Sequence, residues 1–269
     1  MTEESKKGLA PLVHPNPWET LRQFTAARIA LGRTGSSLPT EALLQFGLAH
    51  AQARDAVHLP FASVDLETPL HELGLSTLTV ASAAPDRATY LCRPDLGRKL
   101  SIGSREILTH HASKPADLVL VVADGLSSKA VHRQAIPLIT ALLPYLQLLG
   151  LTLGPVVLAH QSRVALGDDI AEVMQAKAVA MLIGERPGLS SPDSLGIYMT
   201  WGPHTKRMES ERNCISNVRP EGLDHPQAAF KLAWLLEQAF QRQLSGVNLK
   251  DESDNPALHN KVVPMFKLA

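Results

Sequence analysis

Three short segments carry side chains able to do chemistry, and two of them close a run of apolar residues. The run AVAMLI breaks into GERPGLSSPDS at residues 184–194, a pattern that predicts Glu185 at the end of a buried strand. The run LVLVV closes on ADGLS at residues 123–127, with Asp124 and Ser127 at its tip, and RNCISNVRP at residues 212–220 carries Cys214. Asp124 with Ser127 or Cys214 reads as hydrolase or transferase chemistry, the hydroxyl or the thiol serving as nucleophile. Yet no G-x-S-x-G elbow surrounds Ser127, which reads more naturally as the N-cap of a following helix. Glu185 also reads as half of an ion pair with Arg186 or Arg212, and Cys214 beside Ile215 as an inert core cysteine. No GxGxxG follows any of these strands and no GxxxxGK[ST] occurs, so a ligand here is held without a dinucleotide fingerprint or a P-loop.

The elements that must position these residues alternate from residue 116 onward. LVLVVADGLS, PVVLAHQSRV, AVAMLIGERPG and SLGIYMTW read as strands. Between and after them lie helical patterns: AVHRQAIPLITALLPYLQLLG, which Pro137 and Pro144 must kink or split, GDDIAEVMQA, and AAFKLAWLLEQAFQRQLSG. In the last, Phe230, Leu232, Leu235, Leu236 and Phe240 fall largely on one side. Strands apolar throughout and separated by helices imply an α/β fold with a mostly parallel sheet and helices on both faces. Ligands on such sheets sit at the carboxyl ends of the strands, a rule that points to Asp124–Ser127, to Arg163 and Val164, and to residues 184–188.

Upstream, Asn16-Pro17-Trp18-Glu19 combines a cap, a first-turn proline and an acid three residues on, predicting a helix that runs to Gly32. A second helix is expected over residues 40–57, where Leu43, Leu44, Leu48, Ala51 and Val57 recur at roughly helical spacing. LSTLTVASAA and ATYLCRP read as short strands, and GSREILTHHA as a helix with Ile107 and Leu108 inward. The expected division is a helical arm over 1–60, a connecting α/β region over 61–115, the sheet domain over 116–247 and a C-terminal extension over 248–269.

Composition narrows the function. Lys plus Arg is 26 and Asp plus Glu is 26, so the chain lacks the positive field that nucleic acid requires, and at 4% aromatic it has few stacking platforms. No stretch reaches the roughly 18 apolar residues of a membrane span, and MTEESKKGLAPLVHPNP has no signal-peptide core. A soluble, cytoplasmic chain is expected, with no nucleic acid and no membrane among its partners. Cys92 and Cys214 lack CxxC spacing and are expected as free thiols; the scattered histidines suggest no metal site.

RIALGRTGSSLPTEALLQFGLAHAQARDAV, YLCRPDLGRKL, ADLVLVVADGLS, RVALGDDIAE, LIGERPGLSSPDSLG and RNCISNVRP resemble, in order, segments of the small (light) subunit of adenosylcobalamin-dependent ethanolamine ammonia-lyase. The resemblance covers about residues 25–247, with a polar start and a tail outside it. It implies a Rossmann-like domain behind a smaller helical region, and a subunit rather than a complete enzyme. The implied partner is a large subunit, a (β/α)8 barrel that binds ethanolamine and carries the radical chemistry to acetaldehyde and ammonia. Adenosylcobalamin would sit between the two, within a large hetero-oligomer in the cytoplasm; a bacterial microcompartment is an alternative address there. Val164, Glu185 and Cys214 match the family's cofactor contacts, and none need act as acid, base or nucleophile. Glu185 can accept from the amide groups of a corrin rim, Val164 offers main-chain groups and methyl surface, and Cys214 can pack as a small polarizable group. No D-x-H-x-x-G surrounds any histidine, so the resemblance implies base-on cobalamin with no cobalt ligand from this chain.

Overall fold

All six residues of the strand Leu118–Ala123 (β2) are buried, which requires cover on both of its faces. The computed structural model describes residues 12–111 and 115–254 and supplies that cover. Leu118, Leu120 and Val122 point into one core while Val119, Val121 and Ala123 point into another, as the two-residue period of a strand demands.

Two units make up the chain, residues 1–54 with 188–190, and residues 55–187 with 191–269. In the first, the motif at Asn16 opens only a 3-10 helix, Glu19–Phe24, and Thr25 is already extended. The helix expected to reach Gly32 therefore does not form. Asn16 is not the cap of the 3-10 helix: the N-cap is Trp18, without a side-chain cap bond, and the Asn16 Oδ1 instead closes an Asx turn ahead of the helix by accepting from the Trp18 N–H at 2.9 Å. No residue of Glu19–Phe24 is buried and Phe24 is 79% exposed, so no packed face offsets the cost of helix nucleation. Helix α1, Thr40–His58, forms where the spacing placed it. Its buried side consists of small residues, Ala49 and Ala56, whereas Leu43, Leu44 and Leu48 are exposed.

The second unit holds a six-stranded sheet in the order β1-β3-β2-β4-β5-β6. Its strands are β1 (Thr77–Ala81), β2, β3 (Val156–His160), β4 (Ala178–Gly184), β5 (Leu195–Trp201) and β6 (Asn213–Val218). The first four in that order are mutually parallel, and β5 and β6 add on antiparallel, so the α/β, mostly parallel reading holds. Helices α5 (Ser128–Leu149) and α7 (His225–Arg242) cover one face. Helices α4 (Ile102–His111) and α6 (Leu166–Val173) cover the other. Helix α2 (Val64–Glu72) packs Leu66 and Leu70 beside α5.

Several local readings are corrected. ATYLCRP is not a strand but the helix α3, Arg87–Cys92: the Asp86 carboxylate accepts from the Thr89 N–H at 2.8 Å and caps it, while Tyr90 is wholly buried. Leu108 points inward as expected, but Ile107 is 43% exposed, because adjacent helical positions lie about 100° apart and cannot both face the sheet. Helix α5 runs through Pro137 and Pro144 unbroken, ending at Gly150 in the left-handed conformation. RNCISNVRP, assigned no element in the sequence reading, supplies the edge strand β6. The start of the C-terminal extension is held to α7 by Lys231, whose Nζ reaches Asp251, Ser253 and Asp254. Residues 1–11 and the rest of that extension, 255–269, lie outside the described residues.

Candidate functional site

Beyond the carboxyl ends of β2, β3 and β4 lies a cleft of about 420 Å³, lined by Tyr90, Leu126, Arg163, Val164, Glu185 and Tyr198 among others. Its place follows from the strand directions, since parallel strands all deliver their following loops to one edge. A larger hollow of about 530 Å³ lies within the N-terminal unit, lined by Glu19, Arg22, Arg28 and Gln45, and contains none of the three segments first singled out.

The floor is main chain. At Gly125, where φ is +54°, a Cβ would lie 2.3 Å from the Gly184 carbonyl oxygen; at Gly184 it would lie 2.1 Å from that of Ser127. Only glycine at both positions lets the β2 turn pack against the end of β4, where Leu126 N–H donates to the Gly184 carbonyl at 2.9 Å. Asp124, also in this turn, is buried and accepts from the N–H groups of Gln161 and Ser162, each at 2.9 Å, and from Arg87 Nη1 at 3.3 Å. Burial pushes its carboxyl above the usual range, opposed by those donors and by the Arg87 charge. Asp124 therefore shapes the β3 loop that leads to Arg163 and Val164. Ser127 caps α5, its Oγ accepting from the Ala130 N–H at 3.2 Å and donating to the Pro192 carbonyl at 2.8 Å. No base touches it, so the nucleophile reading has no support from the geometry.

Glu185 follows β4 directly. A β-bulge sets its surroundings: β5 contributes Gly196 between two paired positions while β6 contributes Ser216 and Asn217, and Asn217 takes φ of +60°. The bulge turns the Asn217 N–H away from the ladder and toward Glu185 Oε2, 3.2 Å off, and the Ser194 hydroxyl donates to the same oxygen. Oε1 has no partner among the described residues. Neither Arg186 nor Arg212 pairs with this carboxylate. Arg212 is buried and bonds Asp168 of α6 through Nε at 3.0 Å and through Nη2, with Glu209 on Nη1 at 2.7 Å.

Val164 is half-buried, packs at the margin of the α4–α6 core, and accepts from the Gly167 N–H at 3.1 Å. Cys214 is exposed on β6, so the inert-core reading is overturned: it pairs in register with Tyr198 and lies 3.5 Å from Ser216 Oγ. Its thiol is not part of the cleft wall, whereas Tyr198 is. Burial, then Cys214 and Glu185, push the Tyr198 hydroxyl well above the ordinary phenol range. The structure thus brings Val164 and Glu185 to one cleft and sets Cys214 outside its lining, beside Tyr198 on the neighbouring strand. Tyr90 and Tyr198 were missed by the sequence reading, Tyr90 because its segment was read as a strand. Among the described residues no group of His, Cys, Asp and Glu is arranged to hold a metal ion, and no helix is long and apolar enough to cross a membrane.

A family model described as ethanolamine ammonia-lyase light chain matches residues 15–250. The chain is 54% identical over 255 residues to the ethanolamine ammonia-lyase small subunit of Pseudomonas fluorescens (strain Pf0-1), covering 93% of each chain. It is 51% identical over 261 residues to that of Ralstonia nicotianae, covering 96% of each, and 53% identical over 249 residues to that of Pseudomonas aeruginosa (strain UCBPP-PA14), covering 91% of each.

Proposed function

The chain belongs to the ethanolamine ammonia-lyase light-chain family, and from that membership we propose that it binds adenosylcobalamin against a large subunit that holds ethanolamine. The observation that carries this reading is the free Oε1 of Glu185 on a cleft walled by main chain, by aliphatic and aromatic groups, and by the side chains of Arg163 and Arg186. A corrin presents a rim of amide side chains around an apolar ring, so it needs a fixed acceptor, backbone groups and apolar cover together. Val164 and Leu126 supply the cover, and Cys214 stands beside Tyr198 at the margin, where the ligand would reach past the cleft. The bound cofactor would supply the radical chemistry that converts ethanolamine to acetaldehyde and ammonia.

The chain's own residues bind, orient and exclude water. Ser194 and the Asn217 N–H aim the Glu185 carboxylate, and the glycine-packed floor fixes the β2 turn against the end of β4. With Ser127 capping a helix and Asp124 saturated by donors, no acid–base–nucleophile set competes with this role. The exposed leucines of α1 suit a chain that works within a hetero-oligomer.

Reconstitution tests the proposal. The chain alone is expected to release no acetaldehyde from ethanolamine, and activity should appear on adding the large subunit and adenosylcobalamin. Glu185→Ala should weaken cobalamin binding by the reconstituted complex by about 1–3 kcal/mol, the usual cost of losing one hydrogen bond in a shielded site. Turnover by the isolated chain, or unchanged affinity in the variant, would overturn it.

A further inference from the structure

Among the described residues, Arg163 is a cation without a counter-ion on the cleft wall. Its Nη2 donates to the Tyr90 carbonyl at 3.1 Å, but Nε is buried with no acceptor, and Nη1 has none among the described residues. No carboxylate of the described residues lies within ion-pair distance of it, although Glu185 lines the same cleft. Arg87 provides the contrast. Both guanidiniums lie over the ring of Tyr90, at 4.2 Å for Arg163 and 4.8 Å for Arg87. Arg87, however, is neutralised by Asp124 at 3.3 Å and donates to the Gly125 carbonyl at 2.8 Å.

The Arg163 side chain is held in place from several directions. Its main-chain N–H donates to the Gly97 carbonyl at 2.8 Å. A Cβ on Gly97 would lie 2.8 Å from Arg163 Cγ and 3.1 Å from the Tyr90 ring, so a glycine is needed to seat the stem. Tyr90 is itself pinned by its hydroxyl, which donates to the Ser162 carbonyl at 2.9 Å. A half-buried charge with unused donors is costly unless a ligand completes it, and a fixed planar fork matches the paired oxygens of a phosphate ester. Arg186, by comparison, is exposed and has no such mounting.

We propose that Arg163, set by Tyr90 and Gly97, binds an anionic phosphodiester of the ligand in this cleft. The proposal rests on the cobalamin reading above: the cofactor's nucleotide tail is joined to the corrin through one phosphodiester, while its amide rim suits Glu185. The carboxylate and the guanidinium of one cleft then answer two separate features of one molecule.

The test compares two corrinoids on the reconstituted complex by spectroscopic titration, without turnover. Cyanocobalamin carries the phosphodiester and cobinamide lacks it. Arg163→Gln should weaken cyanocobalamin binding by about tenfold to a hundredfold, the effect of a charge-assisted contact, and leave cobinamide affinity unchanged. Unchanged cobinamide binding also shows that the variant complex is assembled. Arg163→Lys, which keeps the charge but not the fork, should fall between. An equal loss for both corrinoids, or no loss for either, overturns the proposal. Wild-type complex that binds neither corrinoid would instead bring down the cobalamin reading, and this proposal with it.

Discussion

Ser127 lies at the end of β2, where an α/β hydrolase could carry its nucleophile, but its oxygen is engaged both as donor and as acceptor. Ser127→Ala should therefore lower the stability of the full chain by about 1 kcal/mol, the cost of an N-cap. Urea denaturation would read this, and the turnover of the reconstituted enzyme should stay at the wild-type level. The cap was legible in ADGLS because a capping side chain bonds a residue three positions on, a local relation. The partners of Glu185 were not legible. Arg186 and Arg212 are neighbours in type or in sequence, whereas the carboxylate is held by Ser194 and by Asn217, 9 and 32 residues away.

At the scale of elements, the turn after β2 and the end of β4 meet backbone to backbone. Gly184→Ala would drive a methyl carbon to 2.1 Å from the Ser127 carbonyl oxygen, and Gly125→Ala adds a left-handed φ to a clash with Gly184. Because both obstacles are main chain and cannot rotate away, each variant should lose about 1–3 kcal/mol of stability or more, seen as a lower midpoint in denaturant. Weaker cobalamin binding should accompany it, since the cleft floor must shift. The strands themselves were readable as apolar runs. Helix α3 was not: ATYLCRP mixes aromatic and β-branched residues that favour a strand, and a cap on Asp86 with burial of Tyr90 overrode that preference.

For the molecule as a whole, acid stability should depend on Asp117, which ties the start of β2 to the α5–β3 connection and to the approach of β4. Burial opposes its ionisation, but Lys177 at 2.8 Å and the hydroxyl and N–H of Thr152 outweigh it, setting the carboxyl at about 2 against an ordinary 3.8. A depressed folded-state value means stabilisation that is complete above the unfolded value and lost as pH falls toward the folded one. Asp117→Asn should accordingly cost up to about 1 kcal/mol at neutral pH, discounted for the exposure of Lys177, and progressively less from about pH 4 toward pH 2. Thermal unfolding of both forms across that range would check it; a difference that stays constant with pH would count against the ion pair.

The layered α/β plan and the edge where a ligand belongs could be read directly from the order of residues. A strand buried on both faces must be apolar at every position, and that signal lies within six or seven neighbouring residues. The ordered segments likewise revealed the family, because each motif is contiguous. The chemistry of the cleft wall emerged only on folding. Tyr90 meets Arg163 across 73 positions, and the Asn217 N–H reaches Glu185 only because a bulge removes it from the ladder. Such contacts depend on which loops share a sheet edge and at what register, and no local pattern of side chains encodes that.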